Sequence, residues 1–150
     1  MERAIGLAEE NVRAGKGGPF GAVVVRGGVI VAEGVNEVTA SNDPTAHAEV
    51  VAIRAACRAL QTFRLNGCEI YASCEPCPMC LGAIYWARLD RLWFAADREA
   101  AEQAGFDDRR IYREFGISPE ARTLPAARLL SKAGRAVLER WRVTPDKIEY

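Results

Sequence analysis

The sequence is poor in histidine and shows no charge imbalance. Among its 150 residues there is one histidine, His47, and twenty basic residues are matched by twenty acidic ones. A chain that grips a phosphate backbone usually carries a basic excess, so this balance weighs against nucleic acid as a partner and favours a small neutral ligand. Long apolar runs are also missing. Stretches such as AVVV, residues 22–25, fall far short of the roughly 20 residues that span a bilayer, so no membrane partner is expected. Residues 1–12 lack the continuous apolar core of a signal peptide and read instead as an amphipathic helix, which points to a cytoplasmic protein. Repeats, low-complexity tracts and linker-like segments are absent, and residues 1–150 suit a single domain with one core.

Cysteine, by contrast, is grouped. Cys57, Cys68, Cys74, Cys77 and Cys80 make an odd count, which argues against a disulfide framework and for a reducing compartment. Three of them fall within CEPCPMC, residues 74–80, a spacing that belongs to metal or redox chemistry.

The periodicities around this group alternate. Residues 2–15 predict a helix stopping at Gly15, and residues 22–35 predict a hairpin turning at Gly27 and Gly28. Residues 45–60 form an amphipathic helix with Val50, Ile53 and Cys57 on one face, and Asp43 or Thr45 is its expected cap. Residues 68–74 predict a strand, 76–88 a helix entered through Pro76 and Pro78, and 90–96 another strand. Beyond Asp97 the pattern weakens. Residues 98–106 and 107–115 look helical, and 124–143 reads as one helix or as a short strand followed by a helix broken near Gly134. Strands alternating with helices imply an α/β fold whose sheet is partly parallel and carries helices packed upon it.

Cys77 and Cys80 stand as C-x-x-C at the front of a helix, where residues three apart are neighbours and the helix N-terminus stabilises thiolates. His47 and Glu49 stand near the front of another helix, and first-turn side chains lean toward the N-terminal end. Two helix N-termini facing one ion follow from this placement. One histidine and two thiolates form a zinc-type ligand set that leaves a fourth position for water, with Glu49 free to move protons. A second reading adds Cys74 and closes a structural Cys₃His site. Against it, Cys74 ends a strand, Pro76 stiffens the chain before Cys77, and Glu49 is left without a task. A third reading makes His47 and the cysteines plain core residues.

At these residues the chain resembles the zinc-dependent cytidine-deaminase-like superfamily: His47-Ala48-Glu49 and Pro76-Cys77-x-x-Cys80 match its H-x-E and P-C-x-x-C signature. The likeness reaches to the bacterial guanine deaminases in GGPFGAVVV (17–25), in residues 41–57 and 73–88, in EQAGFDDRRIY (102–112) and in the final EY. The resemblance implies a three-layer α/β/α sandwich with a mixed five-stranded sheet. It implies one zinc ion per chain on His47, Cys77 and Cys80, Glu49 as the proton shuttle, and Asp108 as a second acid near the leaving amino group. Asn36 is the implied contact to a purine base. Phe20, Trp86 and Phe106 are aromatic candidates to flank the planar base, with core packing as the alternative, and Ala48 is a further candidate contact. Tyr150 is implied to line the pocket of the neighbouring subunit in a homodimer whose C-terminal segment crosses over. The implied reaction turns guanine into xanthine and ammonia. The alternatives are deamination of guanosine or another amino-substituted ring, and, in a different class, a non-catalytic Cys₃His interaction module.

Overall fold

The computed structural model describes residues 1–149, and the chain divides into two units, Met1–Asp108 and the residues that follow. In the first unit, helix α1 (Glu2–Arg13) leads to a hairpin of β1 (Gly21–Arg26) and β2 (Val29–Val35). Gly27 and Gly28 turn the hairpin, both at positive φ (56° and 80°), as a two-residue turn of this hand requires. A one-turn helix α2 (Val38–Ser41) precedes α3 (Ala48–Leu60), β3 (Cys68–Cys74), α4 (Pro78–Trp86), β4 (Arg91–Ala96) and α5 (Arg98–Gln103). Asp97 caps α5 by accepting from the Ala100 amide at 2.9 Å.

The sheet order is β2-β1-β3-β4, with antiparallel pairs between β2 and β1 and between β1 and β3, and a parallel pair between β3 and β4. Alternation along β1 assigns the faces. Ala22 and Val24 pack with Ala48, Ala52, Ile53 and Ala56 of α3 and Ile84 of α4, whereas Val23 packs with Ala4 and Leu7 of α1. Helix α1 therefore covers one face and α3 with α4 the other, the three layers expected. The alanines of α3 let it lie close to the sheet. Gly34 on β2 completes that approach, because a Cβ there would collide with the Ala48 carbonyl and the Ala52 amide.

Three expectations are corrected. The sheet has four strands among the described residues rather than five. After β4 the chain is helical, and residues 122–130, where a short strand was considered, carry no helix or strand. Pro125 has no N–H to give a ladder, and Leu130 sits at φ 49°, which breaks extended pairing. The cap of α3 is also neither Asp43 nor Thr45. Asp43 instead accepts from the Thr45 amide and hydroxyl (2.8 and 2.6 Å), a local turn that delivers His47 to the N-cap position.

The second unit contains α6 (Arg109–Phe115), a 3₁₀ turn (Pro119–Ala121) and α7 (Ser131–Val143). Thr123 bonds the Glu114 carboxylate at 2.9 and 3.0 Å and Arg122 bonds the Glu114 carbonyl at 2.9 Å, which folds the turn back on α6. None of residues 109–149 is buried. Among the described residues, no helix is long and apolar enough to cross a membrane.

Candidate metal centre and active site

Two helix starts converge. His47 is the N-cap of α3 and Cys77 the N-cap of α4, both in extended backbone, with Pro78 as the first residue of α4 and Cys80 in its first turn. An N-cap side chain projects past the helix end, so both reach into the space between the two helices. The His47 Nδ1 lies 3.6 Å from Cys77 Sγ and 3.5 Å from Cys80 Sγ, and the three ligand atoms all fall within 4.8 Å of one another. A tetrahedral zinc ion with Zn–N near 2.0 Å and Zn–S near 2.3 Å holds N and S ligands about 3.6 Å apart. The observed spacing is thus that of a zinc ligand set.

The electrostatics agree. The Cys77 thiol is drawn down to about 4, first by its hydrogen bond from Cys80 and, against burial, by His47. Cys80 is pushed up, first by that same bond and then by burial. The opposed shifts are one interaction seen from both ends: between two adjacent sulfurs, one half-buried and one buried, only one carries charge until a cation joins them. His47 is raised, first by its bond to Cys77. A dication would favour both thiolates and the neutral imidazole.

Cys74 stands apart. Its Sγ lies 3.5 Å from the Asp97 carbonyl, and it is not part of the group in which the His47, Cys77 and Cys80 ligand atoms fall within 4.8 Å of one another. Three protein ligands leave the fourth tetrahedral position open, which disfavours the closed structural site. The buried carboxyl of Glu49 lies beside the ligands, hydrogen-bonded with Cys80, and burial is the main reason its proton affinity is raised.

Asn36, buried at the end of β2, accepts at Oδ1 from the amides of Gly18 (3.3 Å) and Val38 (3.4 Å). No acceptor for its Nδ2 is found among the described residues, so the donor end of the amide is free for a ligand. Phe20 meets Phe106 edge to face, with ring centroids 4.8 Å apart, and both rings border Gly18. Asp108, half-buried, is raised first by burial and then by the charge of Cys77, which brings its carboxyl into electrostatic reach of the metal ligands. Ala48 is buried directly behind His47.

Trp86 is not brought to this cluster. It is the last residue of α4, about 9 Å along the axis from Cys80 at 1.5 Å per residue, and 64% exposed. Cys77 and Cys80 sit at the start of that helix and Trp86 at its far end. Tyr150 lies outside the described residues.

One contributor was missed: Asn11, which is 4% exposed and donates to the carbonyls of Gly18 and Asn36, both at 2.9 Å. The signal was legible. An asparagine lies in line with Ala4, Leu7 and Ala8 on the apolar face of α1, and a buried amide there needs partners.

Comparison with known proteins agrees with this geometry. The profile for the cytidine and deoxycytidylate deaminase zinc-binding region matches residues 1–96. The chain is 53% identical over 150 residues to a guanine deaminase of Bacillus subtilis, covering all of this chain and 96% of that one. The X-ray structure of guanine deaminase from that organism superimposes with a TM-score of 0.96, covering 99% of this chain and 95% of that one at 53% identity. Similarity to a tRNA-specific adenosine deaminase of Aquifex aeolicus, 46% identical, spans 78 residues, which is 52% of each chain.

Proposed function

The chain belongs to the zinc-dependent cytidine and deoxycytidylate deaminase family, and from that premise we propose that it is a guanine deaminase, converting guanine and water to xanthine and ammonia. The observation that carries the reading is the centre of His47, Cys77 and Cys80 with an unligated buried glutamate beside it, in a chain similar to a guanine deaminase over its whole length. The likenesses to tRNA-specific adenosine deaminases are weaker, 46% identical over half of the chain in one case and 35% over 87% of it in another.

Zinc on these three residues supplies Lewis acidity, which brings the acidity of water close to neutrality. The protein's own groups handle the protons. Glu49 takes one from the attacking water and passes it to ring N3 as the oxygen adds to C2. Its dry surroundings raise its proton affinity, which suits a group that must accept a proton and then release it. The remaining proton, on the new C2 hydroxyl, passes to the amino nitrogen with Asp108 assisting; the C2–N bond breaks, ammonia leaves and C2 keeps a carbonyl. Asn36 offers its amide N–H to an acceptor on the purine, and Phe20 and Phe106 give the flat base an apolar wall.

A homodimer is part of the same reading. Helix α7 carries Val137, Leu138 and Trp141 at helical spacing, yet all three are exposed. A second copy of the chain supplies the missing cover, and the tail ending in Tyr150 closes the pocket of its neighbour. The five free cysteines fit a cytoplasmic setting.

Ammonia release from guanine, guanosine, adenine, cytosine and tRNA tests the substrate. Guanine should be far ahead; a preference for guanosine would move the assignment, and silence on all five would end it. The crossover is tested by mixing full-length Glu49→Gln chains with chains lacking residues 147–150, each inactive alone. Subunit exchange should restore activity by assembling one complete pocket. Exchange without recovered activity would refute the crossing.

A further inference from the structure

We propose that Asn11 is a positioning residue for the substrate pocket, setting the orientation in which Asn36 meets the base. The inference rests on the proposed guanine-deaminase reading and on the role given there to Asn36.

The geometry is a knot of three segments. Both N–H bonds of the Asn11 amide are used: one donates to the Gly18 carbonyl and the other to the Asn36 carbonyl, each at 2.9 Å. Helix α1 thereby ties the loop after it to the end of β2. The loop closes from its own side. The Gly18 amide donates to Asn36 Oδ1 at 3.3 Å, and the Asn36 amide donates to the Phe20 carbonyl at 3.1 Å. Residue 17 passes so close that a Cβ there would strike the Asn36 carbonyl oxygen, so only glycine fits. Asn36 is thus held at its amide, its carbonyl and its Oδ1.

The hold has a chemical consequence. With Oδ1 turned to the amides of Gly18 and Val38, the side chain can present only its NH₂ end to a ligand. A pocket built this way selects a hydrogen-bond acceptor on the ring and leaves an amino group at the same place facing another donor. Among the described residues, the Asn11 side chain is hydrogen-bonded to Gly18 and Asn36 and not to the candidate metal ligands or Glu49. Its contribution lies in fixing which end of Asn36 is offered and where the Phe20 wall stands.

The test is a double-mutant cycle on the zinc-loaded enzyme with Asn11→Ala, Asn36→Ala and the pair, following KM and kcat for guanine and for 2,6-diaminopurine, which has an amino group where guanine has its oxygen. Zinc content and thermal midpoint are recorded for each. Removing the Asn11 bonds should raise KM for guanine about tenfold, on the scale of one or two hydrogen bonds, with kcat changed much less and zinc retained. The preference for guanine over 2,6-diaminopurine should shrink. Asn11→Ala should then cost little more once Asn36 is already alanine, because the orientation it sets is gone. Equal losses in both backgrounds, or an unchanged KM, would overturn the proposal. If Asn11→Ala does not fold, Asn11→Ser, which keeps one donor, should give an intermediate KM. Wild-type enzyme inactive on guanine would instead defeat the functional reading, leaving the two failures distinguishable.

Discussion

Residues 1–108 and residues 109–149 are built on opposite terms. The first stretch has buried residues on both sheet faces, such as Leu65, Ile70, Val23 and Val24, and it holds every metal ligand. The second has none that is buried, although α7 exposes Leu138 and Trp141. Helices in water derive most of their stability from an apolar face packed on something. The first region therefore carries its own core and the candidate site, and the second is an amphipathic element with exposed apolar side chains, the face that the proposed homodimer would use.

The widest separation between the regions should appear at the metal. Cys77→Ser should lose most of the zinc and all measurable deamination, while Cys74→Ser should keep about one zinc per chain by elemental analysis. Zinc loss from Cys74→Ser would revive the closed Cys₃His site. Next comes Glu49→Gln, which keeps shape and metal but cannot accept a proton. Turnover should fall by about 10²–10⁴ with normal zinc content, and near-normal rates would remove Glu49 from the mechanism.

Stability probes sharpen the contrast further. Leu65→Ala, in the core, should destabilise the chain by about 2–5 kcal/mol in denaturant titrations. Leu138→Ala should leave the unfolding of residues 1–108 unchanged and weaken self-association instead, read by sedimentation. Equal destabilisation by both would erase the distinction. The smallest effect should come from Glu33→Gln. The carboxylate of Glu33 is bonded at 2.7 Å by Arg3 on the surface, and that bond holds its pKa below the usual carboxylate range. Its contribution is present above that range and fades as pH falls through the lowered value. Solvent screening keeps it slight, so the thermal midpoint should barely move.

Much of this was legible in the sequence. The Gly27 and Gly28 turn and the two ligand-bearing helices follow from local period and breaker residues, which encode their elements within a few positions, and a parallel portion of the sheet follows from strands alternating with helices. The ligand set was legible because zinc chemistry allows few combinations. The missing fifth strand was not, since the implied sheet came from resemblance while Pro125 and Leu130 decide the backbone locally. Asn11 escaped for the opposite reason: its partners are carbonyls of Gly18 and Asn36, and main-chain acceptors leave no mark in side-chain identity.

The order of strands also sets a timetable. The hairpin of β1 and β2 joins neighbours in sequence and can close within microseconds. Pairing β1 with β3 must draw together positions such as Ala22 and Ala72, nearly half of the first unit apart in sequence, a slower step than closing the hairpin. His47 lies before that closure and Cys77 after it. Closing the sheet therefore also draws together the two chain segments that carry the candidate metal ligands.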